Sequence, residues 1–208
     1  NIERLVEMMF NKVISLSDRQ SHASEDVVLS LAEMATEDYR LHIDPITLQV
    51  TAGEVIGLAG MEGSGQELFL RTCAGLKRPV GGRLSVSDFD LTGKPYRSFL
   101  ERQVAFLPAS RLEEGLVPGM HLTEHFILAE EQKGFFLDLE NGVKLAKRRI
   151  SDFNIRGTPF SMVESLSGGN QQRTLLALLR TPLLLLLLEH PTRGLDIEST
   201  IYIWSKLK

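Results

Sequence analysis

Six consecutive leucines, Leu183 to Leu188, form the longest uncharged apolar run of the chain. A membrane-crossing helix needs roughly 20 such residues, so the run reads as a buried strand, and the chain itself as one that does not cross a bilayer. Its flanks are equally informative. Upstream stands Leu166-Ser167-Gly168-Gly169-Asn170-Gln171-Gln172, with a helix expected over Arg173 to Leu179; downstream stands Glu189-His190-Pro191-Thr192-Arg193-Gly194-Leu195-Asp196. A Ser-Gly-Gly turn opening a helix leaves unpaired backbone N–H groups and the positive end of the helix dipole facing outward, which suits a terminal phosphate. The Ser167 hydroxyl adds one more donor. Pro182 is expected to start the leucine strand, since it cannot continue the preceding helix.

A second strand, glycine loop and helix lie earlier. Val55-Ile56-Gly57-Leu58-Ala59 reads as a short buried strand running into Gly60-Met61-Glu62-Gly63-Ser64-Gly65-Gln66-Glu67, and Leu68 to Gly75 as a helix ended by glycine. That is the context a phosphate-binding loop requires. Such a loop surrounds phosphates with backbone N–H groups, neutralises the β and γ oxygens with lysine and holds magnesium with a Ser or Thr hydroxyl. Here Gln66 stands at the lysine position and Glu67 at the hydroxyl position. Glutamine donates a hydrogen bond but carries no charge. Glu67 places a carboxylate where phosphate would sit, and Glu62 adds a second like charge. Weak nucleotide binding and poor magnesium positioning are expected at this loop. The alternative is a glycine turn kept only for strand-to-helix geometry.

Between and around these motifs the chain reads as ordinary α/β material. Val27 to Leu31 and Ile46 to Val50 are strand-like, Gly81 to Leu91 reads as two short strands of an antiparallel sub-sheet, and Val104 to Pro108 as a buried strand. Leu122 to Glu130 and Leu137 to Phe153 read as helices of a smaller helical insertion, spanning about 110–180. The basic residues Lys144, Lys147, Arg148 and Arg149 are read as a solvated face balanced by nearby acids. Ile2 to Ile14 has the spacing of an amphipathic helix, and Ser15 to Asp26 reads as a linker.

Composition narrows the function classes. With 43% hydrophobic residues, 24% charged residues and a formal net charge of −4, there is no basic field for nucleic acid or anionic lipid. A lone Cys73 excludes an internal disulfide framework and fits a reducing compartment. Asn1-Ile2-Glu3-Arg4 lacks the features of a secretion signal, and the two ends read as those of a piece of something longer.

The Leu166–Gln172 and Glu189–Asp196 segments resemble the signature motif and the Walker B and D-loop region of ATP-binding cassette (ABC) ATPases. Asn170-Gln171-Gln172 together with Pro191-Thr192-Arg193-Gly194 is similar to the simple-sugar and nucleoside importer branch. The resemblance runs from about Val27 to the C-terminus. It implies an α/β, P-loop NTPase-like cassette with a mostly parallel core sheet, an antiparallel sub-sheet and a helical subdomain, over 27–208. It makes residues 1–26 a helix and linker, either the tail of a preceding cassette or a helix packed on this domain.

The same resemblance implies ATP with Mg2+ as the ligand, held in a site shared by two cassettes that pack head to tail. Gly60, Gly63, Ser64, Gly65, Gln66 and Glu67 would form this chain's own loop, and Tyr39 would be the adenine-stacking aromatic unless ordinary packing explains it. Glu189 and His190 fall at the two strand-end positions where the family carries an Asp that holds magnesium and a Glu that polarises water. Ala109 falls where the family carries a polar residue that reaches the metal, and the charged residues after it, Arg111 among them, are read as a permease contact or a solvated turn. Asp196 looks like the D-loop aspartate that crosses a dimer interface. No residue is assigned as a metal ligand.

Three catalytic positions are thus replaced together while the signature is intact. The implied role is the second, degenerate nucleotide-binding domain of a sugar or nucleoside importer. Its Ser167, Gly168 and Gly169 would complete the site of the other cassette, expected on the same polypeptide. The implied partners are that cassette, a transmembrane permease and, indirectly, an extracytoplasmic solute-binding protein, at the cytoplasmic face of the inner membrane, with no nucleic acid. The rival readings are a working ATPase with unusual catalytic residues, a soluble cassette protein of repair or translation, and a structural interaction domain without a nucleotide role.

Overall fold

A computed structural model of the protein describes residues 24–130 and 138–207; the helix and linker expected before Ser24 lie outside the described residues. Strands β1 (Val27–Glu37), β2 (His42–Thr51), β3 (Gly81–Val86) and β4 (Phe89–Asp90) form one antiparallel sheet in the order β2-β1-β3-β4. Strands β5 (Val104–Leu107) and β6 (Leu185–Leu188) pair in parallel, with Val104 opposite Leu185 and Leu107 opposite Leu188. The α/β cassette architecture expected from the sequence is present.

The leucine run is explained by its position. Leu185 and Leu187 pack into a core built on β1, β3 and helix α1 (Gln66–Cys73), whereas Leu186 and Leu188 pack against a second core containing Leu107, Phe126, Leu175 and Ile203. A strand covered on both faces has no solvent side on which to place a polar residue, so alternation disappears. Burying each leucine contributes roughly 2 kcal/mol before entropy is charged against it. The strand begins later than expected: Pro182 lies outside it, and the N–H groups of Leu184 and Leu185 both reach the Gln103 carbonyl, at 3.0 and 3.3 Å.

Val55 to Ala59 departs further from expectation. It has no strand assignment, and Val55, Ile56 and Leu58 are exposed. Among the described residues no strand pairs with it, so the apolar composition that would suit a buried strand has neither a ladder nor a cover.

The remaining helices are α2 (Tyr96–Glu101), α3 (Leu122–Ala129), α4 (Leu139–Asp152), α5 (Gly168–Ala177) and α6 (Ile197–Leu207). Helices α3 and α4 fall where the helical insertion is expected. Asp138 caps α4 by accepting from the Asn141 N–H at 3.0 Å. The basic face of α4 is partly ion-paired, Lys144 with Glu140 at 2.8 Å and Arg149 with Glu130 at 3.0 Å. Helix α1 ends as its glycine suggests, with Gly75 at φ 76° and the Leu76 N–H returning to the Arg71 carbonyl. Cys73, on α1, is fully buried, and burial pushes its thiol up to about 12, which makes it an inert core residue.

Candidate functional site

Two glycine turns, each at the mouth of a helix, carry the residues singled out by the sequence. The first is the loop Gly60–Gly65 before α1. Gly65 adopts φ 112°, a backbone conformation that side chains rarely take, and a Cβ there would also press on the side-chain tips of Ile43 and Leu41, at 2.9 and 3.1 Å, so the position favours glycine. The loop interior is occupied by its own side chains. Ser64 Oγ donates to the Met61 carbonyl at 2.8 Å and to Gln66 Oε1 at 3.0 Å, and a Cβ on Gly60 would collide with Gln66 Nε2. Gln66 therefore folds back over the glycine at the start of the loop.

Glu67 does not point freely at a ligand either. Its Oε1 lies 3.0 Å from Arg71 Nε, one turn along α1. The same guanidinium reaches Glu189 at the end of β6, Nε to Oε1 at 3.1 Å and Nη2 to Oε2 at 3.3 Å, and Glu114 at 2.7 Å. Glu189 is only 5% exposed and also accepts from the Ala109 N–H at 3.2 Å. Burial pushes the Glu189 carboxyl above its ordinary range, against the pull of the Ala109 N–H and Arg71. Burial draws Arg71 down, but the Glu114 and Glu189 carboxylates outweigh it and hold the guanidinium above its ordinary range.

This arrangement does not fit a magnesium site. The hydroxyl position is a glutamate paired with arginine, the strand-end carboxylate is spent on the same arginine, and Ala109 offers only a backbone N–H. Among the described residues no group of three or more His, Cys, Asp or Glu side chains is arranged to hold a metal ion.

His190 follows Glu189 in the left-handed region (φ 42°) and opens the turn closed by the Arg193 N–H to its carbonyl at 3.0 Å. His190 is exposed, unlike the buried Glu189 before it. Tyr39, at the β1–β2 connection, is 84% exposed, with the Arg40 guanidinium 4.8 Å from its ring centroid. It lies two residues from Leu41, which packs against the glycine loop.

The second turn is Ser167-Gly168-Gly169. Helix α5 starts at Gly168, earlier than the Arg173 start expected, so the glycines are its first turn and Ser167 its N-cap position. No acidic residue lies in that turn. Ser167 is exposed, and its Oγ accepts from Asn170 Nδ2 at 2.8 Å, which leaves the hydroxyl proton free to donate outward. Asn170 is fixed in turn because its Oδ1 accepts from the Arg156 N–H at 2.8 Å. Gly169 sits close to α6: a Cβ would lie 2.6 Å from Ser199 Oγ and 3.3 Å from its Cβ, so a side chain there would displace the Ser199 hydroxyl. Asp196 is engaged locally, its carboxylate accepting from the Ser199 N–H and Oγ at 2.8 and 2.9 Å, so it caps α6 and is held below its ordinary range by the Ser199 N–H.

Sequence reasoning missed what surrounds this turn. Arg111, read as a solvated or permease-facing charge, points inward: its Nε donates to Gln172 Oε1 at 3.0 Å and its Nη2 donates to the Arg193 carbonyl. Its Nη1 lies 3.2 Å from where a Gly168 Cβ would stand, and burial pulls its pKa down. No carboxylate pairs with it among the described residues. The Arg71 cluster was missed as well. Only its Glu67 arm, four residues away on one helix, had a sequence signal.

No helix of the described residues is long and apolar enough to cross a membrane. Among curated proteins, the chain is 31% identical over 216 residues to the nucleoside import ATP-binding protein NupA of Lactococcus lactis subsp. cremoris, covering 99% of this chain and 42% of that protein. It is 33% identical over 211 residues to the ribose import ATP-binding protein RbsA of Chromobacterium violaceum, covering 98% and 41%. The chain thus spans about two fifths of the length of these relatives. Among solved structures, it is similar to the dimeric post-hydrolysis ATP-binding cassette MJ0796 bound to ADP and Pi, with TM-score 0.70 and 20% identity over 86% of this chain and 81% of that one. The cassette MJ1267 gives TM-score 0.71 at 16% identity over 87% and 76%. These structures share the fold. The ABC transporter family model matches residues 43–193, and on that match the chain belongs to the ABC transporter family, as an ATP-binding cassette.

Proposed function

We propose that this chain is the second, degenerate cassette of an importer for sugars or nucleosides, and that it serves ATP hydrolysis by lending its signature turn to a partner cassette. The carrying observation is the contrast at the two helix mouths: an acid-free, outward Ser167-Gly168-Gly169 turn with Arg111 behind it, and a loop at home filled by Gln66 and flanked by Glu67. Orphan N–H groups, the helix dipole, the free Ser167 proton and an unneutralised guanidinium all favour negative charge at the second mouth.

In this reading Ser167, Gly168 and Gly169 bind and orient the terminal phosphate of ATP held by the partner, and Arg111 raises the local positive potential. Glu189 and His190 do not act as metal carrier and base: one is locked to Arg71 and the other faces solvent. The loop Gly60–Glu67 and Tyr39 are left with at most loose nucleotide contact, and no step passes through magnesium at this loop. The length of the relatives supports a partner cassette on the same polypeptide. That these relatives are import proteins supports a permease, a solute-binding protein and a peripheral place on the cytoplasmic face of the inner membrane.

Vanadate photocleavage tests the assignment. Irradiating the full polypeptide with ATP, Mg2+ and orthovanadate cuts backbone beside the trapped vanadate. The expected cut in this chain is at Ser167 to Gly169. A cut at Gly63 to Gln66 with none at the signature turn overturns the reading.

A further inference from the structure

One guanidinium fastens four separate parts of the chain together. Arg71 projects from the last turn of α1 and binds Glu67 on its own helix, Glu114 in the Arg111–Gly115 turn and Glu189 at the end of β6. Through Glu189 it also holds the Ala109 N–H. Its fourth neighbour is apolar: the Phe106 ring lies 5.7 Å from the guanidinium carbon. The Arg71 side chain is 21% exposed and that of Glu189 only 4%, so this pair is buried, whereas Glu67 and Glu114 hold the guanidinium from its solvent side at 70% and 39% exposure.

A cation that collects oxygens from a glycine-loop helix, a strand end and the loop after a neighbouring strand does the geometric job of a divalent metal. Magnesium would demand oxygens at about 2.0–2.1 Å in an octahedron, whereas a guanidinium takes carboxylates at hydrogen-bond distance in a planar fork. The residues present satisfy the second description and not the first. We propose that Arg71 is a built-in substitute for the metal ion: a positioning residue that anchors Ala109–Gly115 to the glycine-loop helix and the end of β6 whether or not nucleotide is present. The anchored segment includes Arg111, which stands against the signature turn, so Arg71 also sets where that guanidinium sits. The inference concerns this chain alone and stands or falls independently of a partner cassette.

Hydrogen exchange on the full polypeptide, read on peptides covering 107–116, tests it in wild type, Arg71→Gln, Arg71→Lys and Glu114→Gln. In wild type, exchange of Ala109 to Gly115 is expected to change less than about twofold on adding ATP and Mg2+, since the clamp is already closed. Arg71→Gln should speed it by about tenfold or more, the effect of losing charge-assisted bonds to buried groups, and Arg71→Lys should restore part of the protection. Glu114→Gln removes only the exposed arm, so it should loosen 111–115 and leave Ala109 protected; it decides the matter if Arg71→Gln fails to fold. Protection that appears in wild type only with ATP and Mg2+, unaltered exchange in Arg71→Gln, or no recovery in Arg71→Lys overturns the proposal.

Discussion

The two glycine turns of this cassette start from the same backbone device and end with opposite electrostatics. Before α1, the loop closes over Gln66, carries Glu67 in the first helical turn and neutralises that acid from within through Arg71. Before α5, the first turn carries no acid, Ser167 is exposed with its proton free, and the neighbouring Arg111 has no carboxylate partner among the described residues. Glycine at a helix mouth therefore supplies access to backbone donors and nothing more. The side chains around it decide whether an anion or the protein itself occupies the space.

The comparison breaks most decisively at the signature turn. Ser167→Arg, which blocks the mouth of α5, should lower ATP turnover of the full polypeptide by about a hundredfold, the scale on which a lost oxyanion donor acts. The paired change Gln66→Ala with Glu67→Ala should alter the same turnover by less than about threefold, because in the proposed reading that loop carries no chemistry. Equal losses from both would erase the distinction drawn here.

The next effect is on stability. Glu189→Leu removes a buried acceptor of three hydrogen bonds and leaves the Arg71 guanidinium with two partners, so a loss of about 2 kcal/mol is expected from denaturant titration. No loss would mean that the buried pair does not hold the strand end. A smaller, opposite change sharpens the contrast: Gln66→Lys with Glu67→Thr should raise the ATP affinity of this loop by about tenfold in equilibrium titration, the worth of one charge-assisted hydrogen bond gained. The gain should stop there while Glu189 remains tied to Arg71.

The smallest effect concerns Asp196. Its folded pKa is depressed by the Ser199 N–H, so its capping contribution is present above the unfolded value near 4 and fades as pH falls through the lower folded value. Asp196→Asn, which keeps the capping geometry, should flatten that acid limb of the stability profile by only about 0.5 kcal/mol, since solvent screens this exposed carboxylate. An unchanged limb would show that the carboxylate charge plays no part in holding α6 behind Gly169.

Much of the fold was legible because its signals are local. The glycine-ended α1, the hairpin strands β3 and β4, and α3 and α4 each carry turn or capping residues beside periodic apolar ones. Val55 to Ala59 was misjudged because a buried strand is a statement about neighbours, and those five residues contain no information about what lies beside them. Arg111 was misjudged for the same reason: its charge suggested solvent, but Gln172, distant in sequence, draws it inward.

The amino-acid order alone determined the chemistry on offer: which glycine turn bears an acid, which bears a serine, and that Gln66 follows the glycine loop and His190 follows the strand-end Glu189. Tertiary structure decided how that chemistry is spent. Residues 71, 114 and 189 have no sequence relation that predicts a meeting, yet the packing of α1 against β6 joins them around one guanidinium. Charge is a property of a residue, whereas its partner and its solvation are properties of the fold.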